Sequence, residues 1–253
     1  MVEIDTFRLV DMFKNGQFAE AIKLASEPKT QNNRSHEIQK WDTILQCFIE
    51  KARTDREEAD FSNASNVVSA WKDQIVDFGD QIQFLRAHAQ FLIAFHDLQP
   101  EAAKSFGNTM ALLCHLAGTI ENWKLFEQAI DVFFLRDSQK FGIKMKMASV
   151  LKYEMEQSKG FVKEGMRRKL EKVEREAKEF REKIGEEKAA SIVAMIDRSI
   201  KDHHHSSEAA SSLPSEFRAH ESRSKNALLS EKQKDEAVET FRLRFSFLFE
   251  PFD

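Results

Sequence analysis

Glycine and proline are scarce: 253 residues hold 8 Gly and 4 Pro. A β-sandwich or barrel needs turn punctuation every ~8–12 residues, so this supply argues against an all-β fold. The same shortage tells against an α/β fold built on Gly-rich phosphate loops. Cysteine is scarcer still. Cys47 and Cys114 cannot make a disulfide framework and fit a reducing compartment, cytoplasmic or nuclear. Long apolar runs are missing too. Phe91–Phe95 is typical of the longest, whereas a membrane span needs ~18 such residues, so no membrane partner is expected. The opening MVEIDTFRLVDMFKNG is amphipathic and acidic, without the basic stretch and apolar core of a secretory signal. Charge of one sign is also lacking: 38 bases face 42 acids, for a net −4. No global nucleic-acid signature follows from that balance.

What the chain has instead is a helical period. Ile4, Phe7, Leu9, Val10 and Phe13 share one face, and Asn15-Gly16 ends it. Phe18, Ala21, Ile22 and Ala25 resume the period until Pro28 forbids continuation. Residues 3–14 and 17–27 therefore read as a helical hairpin. Further helices are expected from Ser35 through Ile49, over 63–78, over 80–97, and from Pro100 to Gly118. Two more follow over 120–136, with Phe133 and Phe134 inside, and over 139–157. Residues 53–62 read as a charged connector. The fold class is all-α.

Residues 161–201 read as a long charged helix. Met166, Leu170, Val173, Ala177, Phe180 and Ile184 make a heptad seam, flanked by Glu171–Arg175, Glu174–Lys178 and Glu179–Lys183 pairs. The register breaks at Gly185. The 166–184 seam leaves open a homo-oligomer as well as packing within the chain. Residues 203–227 are rich in Ser, Ala, His and charge, with too little apolar content to offset ordering entropy, and read as a disordered linker. The domain reading is thus 1–202 helical, 203–227 linker and 228–253 a C-terminal docking segment.

In the first hairpin, Gly16, Phe18 and Ala21 fill the turn, aromatic and small-residue places of a tetratricopeptide repeat, which this piece resembles. The resemblance covers residues 3–27 alone. Leu9 and Pro28 stand where the repeat prefers small residues, Asn33 replaces its closing proline, and no second copy with this spacing stands out. It implies a stacked helical scaffold that binds proteins without catalysis.

No phosphate-binding loop, H-E-x-x-H, C-x-x-C or Asp-rich calcium loop occurs, so no enzyme activity, metal or cofactor is expected. Cys114 and His115 point ~100° apart on a helix, and Cys114 reads as an inert buried thiol. His88 and His96 read as structural. Two features remain. The first is charge segregation. Residues 1–139 hold 14 bases and 21 acids, whereas residues 140–169 hold 9 bases and 3 acids, a net +6. Lys163, Arg167, Arg168 and Lys169 are the candidates there for a nucleic-acid contact, with Tyr153 and Phe161 as stacking surface.

The second feature is the C-terminal segment. Phe241, Leu243, Phe245, Phe247 and Phe249 alternate like a strand, while Val238, Phe241, Phe245, Leu248 and Phe252 make a helical stripe. Left in water, such a patch would be adhesive. Phe241, Phe245, Leu248, Phe249 and Phe252 are expected to bind a partner, or a groove of the same molecule. The leading functional expectation is a non-enzymatic scaffold or adaptor, a subunit of a larger complex. The alternative is a nucleic-acid-associated protein.

Overall fold

The computed structural model describes residues 6–26, 34–54, 58–211 and 228–249. Among them the fold is all-α, with eleven α-helices, two 3-10 turns and no strand. None of these helices is long and apolar enough to cross a membrane. The chain divides into two compact units, Met1–Thr109 and Met110–Asp253.

The first unit opens with α1 (Thr6–Lys14) and α2 (Phe18–Ser26). Gly16 turns between them at φ +72°, a conformation costly for any residue with a Cβ. Gln17 N–H donates to the Met12 carbonyl at 2.9 Å, and Phe13 meets Phe18 with ring centroids 5.6 Å apart. Next come α3 (Arg34–Thr54), α4 (Glu58–Lys72), α5 (Phe78–Ala94), a 3-10 turn at His96–Leu98, and the start of α6 (Ala102–Leu116). The centre of this unit is α3, on which α1, α2, α4 and α5 all pack. It buries Ile44, Leu45, Phe48 and Ile49. Beside it runs an aromatic file: Trp71 meets Phe84 edge-on at 5.7 Å, and Phe91 stacks on Phe61 at 6.0 Å.

The second unit contains α7 (Ile120–Val132), α8 (Asp137–Gln157), α9 (Gly160–Ile184), α10 (Glu186–Ser211), α11 (Glu231–Arg244) and a 3-10 turn at Ser246–Leu248. The helices α8 and α9 form an antiparallel pair joined by Ser158-Lys159. Their cross-links show the direction: Lys152 reaches Glu174 at 2.8 Å, Lys144 reaches Glu176, and Lys140 lies over the Phe180 ring at 5.9 Å. The seam points into this pair, with Leu170, Val173 and Ala177 buried and Met166, Phe180 and Ile184 half-buried. Gly185, at φ +82°, separates α9 from α10, where the register was expected to break. The chain then returns along α8 and α9, burying Ala189, Ile192 and Ile196.

Several boundaries differ from expectation. The connector expected at 53–62 is largely helix: α3 runs through Thr54 and α4 starts at Glu58, while residues 55–57 lie outside the described residues. The helix expected to end at 78 ends at Lys72. Asp77 instead opens the next helix, since its carboxylate accepts from Asp80 N–H at 2.9 Å and caps α5. Pro100 precedes α6 by two residues rather than sitting in its first turn. Phe134 is not inside; it stands at φ +50° in the turn after α7, 85% exposed. Finally, α10 continues to Ser211, into the stretch read as linker, through the good helix formers Ala209 and Ala210. Residues 212–227 of that stretch lie outside the described residues.

Candidate interaction surfaces

The C-terminal segment is helical and lies on its own unit. Ser230 opens α11 with a capping box: its hydroxyl accepts from Gln233 N–H at 3.3 Å, and Gln233 Oε1 accepts from Ser230 N–H at 2.9 Å. The helix ends at Arg244, and the 3-10 turn swings Phe247 onto α8. There it fills a notch at Gly142, where a Cβ would come within 2.0 Å of the Phe247 ring. Gln139 Nε2 donates to the Leu248 carbonyl at 2.9 Å, both groups buried. Trp123 of α7 faces Phe241 at 6.2 Å and Phe245 edge-on at 5.7 Å. The Lys146 ammonium sits 5.4 Å above the Phe245 ring.

Of the residues expected to meet a partner, Phe241, Phe245 and Leu248 are buried here. Phe249 is half-buried, 6.0 Å from Phe241 and beneath the Arg242 guanidinium at 5.3 Å. Phe252 lies outside the described residues. Sequence reasoning missed Phe247, Gly142, Trp123 and Gln139 as the pieces that lock this contact. One signal was present: a glycine inside an otherwise helical period often marks close approach of another element.

Most of the basic stretch is committed internally. Lys144 is buried and bonded to Glu127 of α7 and Glu176 of α9. Burial pulls its pKa down, but the two carboxylates outweigh burial and hold it above the ordinary lysine value. Lys146 is held below that value by burial, with Arg244 adding repulsion. Lys140 rests on Phe180 and Lys152 on Glu174. Of the four nucleic-acid candidates, Arg167 and Arg168 both pair with Glu164, at 2.9 and 3.4 Å. The other two, Lys163 and Lys169, are exposed and, like Lys159, make no ion pair among the described residues.

The end of the α8–α9 pair is a different kind of surface. Gly160, at φ +60°, tightens the turn and starts α9. Phe161 follows, 96% exposed, then Val162 at 60%, and Tyr153 on the last turn of α8 is 57% exposed. Lys159 and Lys163 bracket the two apolar residues in sequence, and both are exposed.

Burial also displaces the pKa of His88, Cys47 and Cys114, all three in structural surroundings. His88 stacks between Phe84 at 5.5 Å and Phe91 at 6.1 Å, and its Nδ1 shares a 3.1 Å hydrogen bond with the Thr109 hydroxyl. Burial, with Lys72 nearby, lowers its pKa to about 4. Burial pushes the Cys47 thiol up to about 12 and raises Cys114 as well, the opposite of an activated nucleophile. His96 Nδ1 lies 3.1 Å from the Ile93 carbonyl. Among the described residues, no group of three or more His, Cys, Asp or Glu side chains is placed to hold a metal ion. Comparisons with protein families, curated proteins and solved structures found no match for this chain.

Proposed function

We propose that the chain is a non-catalytic helical scaffold or adaptor, a subunit of a larger assembly, whose first unit binds a protein. The observation that carries this reading is the packing order of α1 to α5. Helices adjacent in sequence pack against one another, with α3 shared between its predecessors and successors. Helical-repeat proteins build their binding surfaces from such nearest-neighbour stacking. The tetratricopeptide-like turn at Gly16, Phe18 and Ala21 agrees with it. The environments of His88, Cys47 and Cys114 also support a non-enzymatic role, because burial holds each in its neutral form.

On α1, Arg8 and Asp11 are exposed side chains of the proposed docking face. The test is affinity capture of the full-length chain from its native extract, with and without nuclease, beside an Arg8→Glu/Asp11→Lys variant. A nuclease-resistant protein lost with the variant is the expected result. Capture that collapses on nuclease treatment, or is indifferent to the α1 substitutions, overturns this assignment. The isolated 1–227 truncation is a poor substitute, because it would uncover Trp123 and Gly142.

A further inference from the structure

We infer that the α8–α9 end is a peripheral docking tip for an anionic lipid surface. The shortness of the apolar runs bears on crossing a bilayer and is silent on touching one. Peripheral contact needs only a few apolar side chains at a leading edge, with cations close behind to meet the headgroups. That is the arrangement here. Phe161 and Val162 occupy the first turn of α9, 96% and 60% exposed, and Tyr153 stands on the facing turn of α8. Lys159 and Lys163 bracket them, exposed and without ion-pair partners among the described residues.

The geometry makes the apolar edge lead. Positive φ at Gly160 closes the turn within two loop residues, Ser158 and Lys159. The antiparallel pair behind it is linked by Lys144 to Glu176 and Lys152 to Glu174, so the tip stands at the end of two packed helices. Among the described residues nothing covers this exposed Phe-Val step, so it adds no apolar burial to its own unit.

Charge selects the occupant. A nucleic-acid strand is held chiefly through many phosphate contacts, yet Arg167 and Arg168 are tied to Glu164, and Lys144 and Lys146 are taken up inside the unit. Two or three unpaired lysines serve poorly as a phosphate track. They suffice as the electrostatic half of a two-part lipid contact whose other half is apolar insertion. Val162 adds to insertion and nothing to base stacking. This inference is independent of the protein-binding assignment to the first unit.

The test is sedimentation of the full-length chain with phosphatidylcholine vesicles, with and without phosphatidylserine. Binding is expected to require phosphatidylserine and to weaken with salt. Phe161→Ser/Val162→Ser should reduce the partition coefficient about tenfold or more, and Lys159→Glu/Lys163→Glu at least fivefold per lysine, about the effect of one surface cation. Phe134→Ser is the control, another exposed phenylalanine, just before the far end of α8, and should leave binding unchanged. All of these side chains are exposed, so circular dichroism should report an intact fold in each variant. Absence of binding to anionic vesicles overturns the inference, as does equal loss in the Phe134 variant. So does anisotropy showing that a polyuridine oligonucleotide binds through Phe161 and Lys163 while vesicles do not.

Discussion

Two phenylalanines of the second unit, Phe247 and Phe161, belong to equally apolar-looking stretches and meet opposite fates. Phe247 is 2% exposed and seated on Gly142, whereas Phe161 is 96% exposed at the α8–α9 end. Hydrophobicity is the same in both. What differs is the presence of a complementary surface. A helix with no Cβ at residue 142 leaves a ring-sized recess within reach of the 3-10 turn, while none of the described residues covers the first turn of α9. Burial is a property of pairs of surfaces, so the residue that decides the fate of Phe247 lies 105 positions away, at Gly142.

The contrast can be broken from either side. The largest effect is expected from Phe247→Ala, which empties a filled site and should cost about 3–5 kcal/mol in urea unfolding. A loss below ~0.5 kcal/mol, the usual range for exposed positions, would mean that the C-terminal segment is not seated there. His88 supplies a comparison within the first unit, an aromatic ring buried despite being ionisable. Its folded pKa of about 4 lies below the unfolded value, ~6.5. The unfolded chain therefore takes up the proton first as pH falls. Stability from this group is complete above pH ~6.5 and lost towards pH ~4, on the order of 3 kcal/mol. His88→Phe should flatten the profile in that window, and an unchanged slope would refute the assignment.

Gly142 and Gly165 sharpen the comparison further, because both are helical glycines. Gly142→Ala should destabilise by about 1–3 kcal/mol, since the new methyl overlaps the Phe247 ring. Gly165→Ala meets nothing within 4 Å and should stabilise by up to ~1 kcal/mol through helix propensity alone. Denaturant midpoints with the same sign for both would dissolve the distinction. The smallest effect belongs to Phe161→Ala, within ±0.5 kcal/mol. A larger loss would show that the tip supports the fold.

The class of the fold and most helices were legible in the sequence, because a period of 3.6 survives wherever one face is buried. Gly16 and Gly185 mark their turns by the conformation that only glycine adopts cheaply. The seam from Met166 to Ile184 is legible as a seam, but its partner is not, since a heptad pattern says nothing about whose helix fills it. Boundaries failed where a side chain caps a helix, as Asp77 does for α5. The candidate surfaces were harder. The stripe Phe241, Phe245, Leu248 is visible, yet Phe247 joins it only because the helix tightens to a 3-10 turn after Arg244. Nor can a basic stretch show that Lys144 and Lys152 are spent on Glu127, Glu174 and Glu176, because Glu127 stands on α7 and the other two lie beyond the stretch on α9.

The hydrogen bond from Gln139 to Leu248 joins residues 109 positions apart, and that separation has a consequence for how the chain is made. During vectorial synthesis, Trp123 and Gly142 leave the ribosome long before residues 241–248 exist to cover them. For that interval the nascent second unit carries an open apolar recess, closed afterwards at the slow pace of a long-range contact. Until Phe247 arrives, the order of synthesis leaves this apolar surface open to water, so residues made late are the ones that complete the unit's core.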